Sequence, residues 1–288
     1  MKKITILLMM MILSFYATGC FKRDNLEDID IYATAYPIEY IVERLYGTHS
    51  TVYSIYPDGV NINDYTLTDK QILDYSKASL FVFNGLSSEK DYVIPMFNHN
   101  KNLRIIDTSL TMEYSYGIEE LWLDPSNFLM LAQNVRDGLE EYINNHYLKN
   151  DIEEQYEQLK IEVSNLDAKI KLMMDSSDNK TLIVSNDVFK FLEKYGFSVI
   201  SLEENEDLTE KKIADVTALI NSGENSYIFT LQNEEINDTI KEIQEKTDVE
   251  LITLHSLSNL TDEERNSNQD YLSLMNNNIE LLKNELYD

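Results

Sequence analysis

One cysteine and four histidines are the side chains with which this chain could do covalent or transition-metal chemistry, and they lie far apart. Cys20 follows an apolar run, Ile4 to Tyr16, which opens on Lys2 and Lys3 and closes on the small residues Ala17-Thr18-Gly19. That pattern is a secretory signal with a small-residue cleavage site, too short to be a spanning helix. It leaves a thiol at the start of the mature chain. With no second cysteine to pair with it, stability must come from packing rather than from disulfides. His255 follows the apolar run that ends at Leu254. A lone histidine there is ordinarily satisfied by backbone, although an imidazole can also ligate a divalent ion. His49, His99 and His146 lie in polar segments and read as surface residues, and Glu120 could be exposed with Glu119. There is no His-Glu-x-x-His, no phosphate loop, no nucleophile elbow and no paired metal-ligand cysteines, and only eight glycines are present. These features argue against an enzyme.

The elements that must position these residues alternate along the chain. Residues 21–28 are polar and read as a tether. Asp30–Thr34, Thr51–Tyr56, Leu80–Phe83 and Leu103–Ile106 are strand candidates. Between them, Pro37–Tyr46 reads as a helix with Ile38, Ile41, Val42 and Leu45 on one face. Thr68-Asp69-Lys70-Gln71 is a capping box that opens another. From about Ser126 to Asp175 the strand signal disappears. A helix starts at Asp124-Pro125-Ser126-Asn127 and runs to about Asn145, and Asn150–Met174 reads as one long helix with apolar residues spaced by three and four. Alternation then resumes with strand candidates Thr181–Ser185, Phe197–Leu202, Ser226–Thr230 and Val249–Leu254, and helices near 187–195, 209–221, 233–246 and 270–285. The expectation is an α/β protein of two lobes. Each lobe carries a mostly parallel four-stranded sheet flanked by helices, and one long linking helix joins them. The boundaries are 1–20 signal, 21–28 tether, 29–149 first lobe, 150–176 linking helix and 177–288 second lobe.

A formal charge of −27 disfavours nucleic acid and polybasic attachment to anionic lipid. Such acidity is ordinarily a solvated surface and does not by itself make a cation-binding protein.

Local motifs give this frame a resemblance. Ala17-Thr18-Gly19-Cys20 resembles the lipobox of bacterial lipoproteins, with alanine at 17 where leucine is usual, so Cys20 would be acylated after cleavage. The mature chain resembles the metal-ion solute-binding lipoproteins of ABC importers, which deliver zinc or manganese to a membrane permease. The resemblance is carried by Ala33-Thr34-Ala35-Tyr36-Pro37, by Tyr56-Pro57-Asp58-Gly59 through Asp64-Tyr65, and by Ala78 to Gly85 with Glu89. It continues through Leu121-Trp122-Leu123-Asp124-Pro125, Phe189 to Gly196, and Tyr271 to Met275 with Asn278.

The resemblance implies a lipid-anchored, extracytoplasmic monomer on the bacterial cell membrane, with an ABC permease as partner and a divalent ion, zinc or manganese, as cargo. It implies small lobe movement, because the linking helix restricts closure. It also places four metal ligands. The family's first histidine falls on Asn63, its second on Glu120 two residues before the tryptophan, its third ligand on Asn186, and its final aspartate on His255. One imidazole, one carboxylate and two amide oxygens would bind zinc less tightly than the family's set and lean towards harder ions. Alternatively, Asn63 and Asn186 could hydrogen-bond Glu120 and His255 in a polar cleft for a small organic ligand, or the chain could be a surface interaction or adhesion protein without metal.

Overall fold

Short apolar strands separated by helical crossovers favour parallel pairing, and they pair so in two sheets. The computed structural model describes residues 26–287, so the expected signal, Cys20 and most of the tether lie outside the described residues. The first lobe contains β1 (Ile29–Ala33), α1 (Tyr36–Tyr46), β2 (Ser50–Ser54), α2 (Asp69–Tyr75), β3 (Leu80–Phe83), α3 (Val93–His99) and β4 (Arg104–Asp107). Its sheet has the order β2-β1-β3-β4, every neighbouring pair parallel. All four residues of β3 are buried, as a strand covered on both faces requires. Then come α4 (Glu120–Leu123), α5 (Pro125–Tyr142) and α6 (His146–Ser176). The second lobe contains β5 (Thr181–Val184), a 3-10 helix (Asp187–Tyr195), β6 (Ser198–Ser201), α7 (Glu210–Ser222), β7 (Tyr227–Leu231), α8 (Asp238–Lys246), β8 (Glu250–Leu254), α9 (Asp262–Asn266) and α10 (Tyr271–Leu286). Its strand order, β6-β5-β7-β8, repeats that of the first lobe, again in parallel.

The long helix is α6, 31 residues and about 46 Å in length. It begins at His146 rather than Asn150, because Asn145 caps it by accepting a hydrogen bond from Tyr147 N–H. Its buried stripe (Leu148, Ile152, Tyr156, Leu159, Val163, Leu166, Ile170) meets α1, α5 and α10, so it touches elements of both lobes. Gly138 lets α5 lie close against β4, since a Cβ there would come within 2.8 Å of Ile106.

Three expectations shift in detail. The segment 187–195 forms a 3-10 helix, not an α-helix. The helix expected over 233–246 starts only at Asp238, where Asn237 accepts from Ile240 N–H, which leaves Asn233 and Glu234 in a loop. The expected tether ends early, because Leu26 is fully buried in the core and its carbonyl accepts from the Tyr46 hydroxyl. Among the described residues no helix is long and apolar enough to cross a membrane.

The lobes share one apolar core. Trp122, 1% exposed, lies between them; its Nε1 donates to Ser256 O at 2.9 Å, and the Tyr271 hydroxyl donates to Trp122 O at 2.7 Å. Tyr271 stacks on Phe128 with ring centroids 3.8 Å apart. Trp122 is therefore a packing residue of the junction.

Candidate functional site

In open parallel sheets ligands bind beyond the carboxyl ends of the strands, near the point where strand order reverses. A polar cleft of about 260 Å³ lies there. The first lobe lines it with Asn61 and Asn63, from the loop after β2, and with Glu119, from the loop after β4. The second lobe supplies Asn186 after β5, then Gln232, Asn233 and Glu234 after β7, and Ser256 and Ser258 after β8. Asn233 adopts a left-handed φ of 66°, which turns the chain sharply between Gln232 and Glu234.

Each lobe presents asparagine amides and one carboxylate to the cleft. On the first-lobe wall the Asn63 amide favours the ionised form of the Glu119 carboxyl. On the second, Asn186 Nδ2 donates to Glu234 Oε1 at 3.4 Å, while Glu234 Oε2 accepts from Ser185 Oγ at 2.5 Å and from Leu231 N–H at 3.2 Å. Asn186 also caps the 3-10 helix, its Oδ1 accepting from Val188 N–H at 2.8 Å. Burial pushes the Glu119 carboxyl above the ordinary glutamate range, and the charge of Glu234 adds to that rise. A cation placed between the two carboxylates would relieve both effects.

Asn63 and Asn186 therefore reach the cleft as expected, whereas Glu120 and His255 do not line it. Glu120 opens α4, and its Oε2 turns back to accept from Ser115 N–H at 2.9 Å and Tyr116 N–H at 3.1 Å. That leaves its neighbour Glu119 to face the cleft. His255 is 8% exposed and held on both nitrogens. Nδ1 accepts from Leu257 N–H at 2.8 Å, which places the proton of the neutral ring on Nε2, 3.1 Å from Glu264 Oε1. The ordinary reading of a strand-end histidine, satisfied by backbone, prevails there. Asn186 does bond a carboxylate, but that of Glu234, and Asn63 shares the cleft with Glu119 rather than with Glu120. The signal for Glu234 was topological: it follows the strand beside the reversal point, where such loops carry ligands.

Among the described residues no three His, Cys, Asp or Glu side chains form a group that could hold a metal ion. A cation in this cleft would have two carboxylates and complete its shell with amide, hydroxyl and water oxygens, a hard donor set without nitrogen.

Comparison with known proteins agrees with this architecture. The manganese-binding lipoprotein MntA of Halalkalibacterium halodurans is 23% identical over 245 residues, which cover 76% of this chain and 78% of that one. The zinc-binding lipoprotein AdcA of Streptococcus pneumoniae is 22% identical over 98% of this chain, which spans 61% of AdcA. The crystal structure of the zinc-bound ZnuA-like domain of that AdcA superposes with a TM-score of 0.73 at 19% identity, covering 91% of this chain and all of that domain. The model of the family described as zinc-uptake complex component A, periplasmic, matches residues 31–285, and the chain belongs to that family.

Proposed function

We propose that the protein is the extracytoplasmic solute-binding component of a metal-ion ABC importer, anchored through a lipid on Cys20. It captures a divalent cation between its lobes and passes it to a membrane permease. It acts as a carrier rather than an enzyme, as a monomer, and without nucleic acid. The observation that supports this reading is the cleft at the strand ends, where each lobe offers one carboxylate beside asparagine amides. Its relatives are named for manganese and for zinc. The donor set here, oxygen without imidazole, favours manganese over zinc, because zinc gains most from nitrogen and sulfur ligands. The ligating set of this reading is Asn63, Glu119, Asn186 and Glu234.

Calorimetric titration of chelator-stripped protein with manganese, zinc and calcium tests it beside a Glu119→Gln/Glu234→Gln variant. Binding of manganese at micromolar levels or tighter, about 8 kcal/mol at 1 µM, is expected, with affinity falling at least about 100-fold in the variant. Because the Glu119 carboxyl is held above its ordinary range, cation binding should release a proton in mildly acidic buffer. Affinity should therefore rise with pH. Absence of binding to the unaltered protein, or equal binding by the variant, would defeat the proposal.

A further inference from the structure

The loop that carries Asn61 and Asn63 belongs to the first lobe, yet the second lobe holds it in place. Asn259 Nδ2 donates to Pro57 O at 2.8 Å and to Val60 O at 3.1 Å. Between those two carbonyls, Gly59 adopts φ 75° and donates its N–H to Leu260 O at 2.7 Å. Arg265, on α9, grips Glu39 of α1 with both terminal nitrogens at 2.9 and 2.8 Å, and its Nε donates to Asp58 Oδ1 at 2.7 Å. Glu39 is 4% exposed, so the fork is anchored in the interior of the first lobe and reaches the loop from there. Residues 57–60 thus receive contacts from the second-lobe segment 259–265 immediately before the chain enters the cleft wall.

We propose that Asn259 and Arg265 are positioning residues for the cleft, fixing the loop that bears Asn61 and Asn63 before the cargo arrives and so setting which cation fits. This inference rests on the cation-binding reading of the same cleft. An oxygen cage ordered in advance loses less entropy on binding and discriminates ions by size; a loosened cage adapts to either. Calcium prefers longer oxygen distances than the smaller divalent ions, so a fixed cage should separate manganese from calcium.

The test uses the full chain with two substitutions. Asn259→Ala removes the carbonyl clamp without touching a charge. Arg265→Lys keeps the positive charge opposite buried Glu39 but loses the planar fork, which avoids the unpaired carboxylate that a neutral residue would leave. Amide hydrogen exchange over residues 57–64 should quicken about tenfold in both variants, while exchange in β5 and β7 stays unchanged. The ratio of manganese to calcium affinity, by calorimetry, should fall about fivefold or more, a change that a general loss of stability would not produce. Unchanged exchange would overturn the positioning role. Faster exchange with an unchanged affinity ratio would overturn the link to ion choice. If the unaltered protein binds neither ion, the cation reading itself fails, and exchange alone decides whether the second lobe holds the loop.

Discussion

Two of the places where the lobes meet are chemically opposite. At the packed junction, Trp122, Phe128 and Tyr271 are buried in apolar contact, the Trp122 indole is hydrogen-bonded, and Lys194 pairs with Asp124 across the boundary. At the cleft, the facing walls are amides, hydroxyls and two carboxylates whose charges oppose each other. The first junction satisfies its groups within the protein. The second leaves like charges facing an open space. A protein that needed only to hold two lobes together would gain nothing from the second arrangement, so the contrast separates the residues that build the molecule from those that the proposed function assigns to a ligand.

Substitutions should make that contrast measurable. The largest effect is expected at the packed junction, where Trp122→Ala should cost about 4 kcal/mol in urea denaturation. Because the core is continuous through Trp122, both lobes should lose stability in one transition. A shift confined to one lobe would break the comparison.

Acid should weaken the same side of the molecule next. Burial pushes the His255 imidazole below its ordinary value of 6.5 despite the pull of Glu264. The folded state keeps the ring neutral, while the unfolded chain takes up a proton as pH falls through 6.5, so stability is lost as pH falls there. The slope is at most about 1.4 kcal/mol per pH unit for one proton. Glu264 is held below its ordinary value of 4.5; burial opposes that shift, and hydrogen bonds from Thr261 and His255 outweigh it. Its contribution disappears at still lower pH, in the same direction. Burial raises the carboxyls of Glu43, Glu89, Glu119 and Glu285, which act in the opposite sense over this window. The His255 contribution is therefore read as a difference: between pH 7.5 and 5 the thermal midpoint of His255→Gln should climb relative to that of the unaltered protein.

Glu120→Ala should cost about 1 kcal/mol, because two backbone N–H groups at Ser115 and Tyr116 lose their acceptor. Its effect on cation affinity should be smaller than that of Glu119→Gln, and calorimetry on the two variants side by side sharpens the one-residue distinction. The smallest effect belongs to the cleft itself. Glu119→Gln/Glu234→Gln should leave the stability of the metal-free protein within about 0.5 kcal/mol, tilted towards a gain, since it removes a pair of opposed charges. A large loss there would mean that the cleft carboxylates are structural.

The two-sheet architecture was legible because the buried strands are apolar runs bounded by turn residues and helical stripes, as Leu80–Phe83 and the α6 periodicity illustrate. The lining of the cleft was half legible. Asn63 and Asn186 could be placed by motif because they sit in loops that leave strands at fixed points. Glu120 could not be told from Glu119, since a one-residue choice at the start of a four-residue helix depends on which carboxylate the preceding turn captures. Which of the two readings of His255 applies was not legible, because its partners, Leu257 N–H and Glu264, become neighbours only when the chain turns after β8. Leu257 makes that turn with φ 58°, a conformation that a leucine does not announce. The five residues of α9 and the seven of α3 are too short a run to show a helical period.

The most direct test of the central claim is anomalous diffraction from crystals soaked in manganese. A single strong peak in the cleft, ligated by Glu119 and Glu234 with amide oxygens from Asn63 or Asn186, is the expected result. A peak at His255 and Glu264 with an empty cleft, or no ordered manganese in the cleft at saturating concentration, would contradict it.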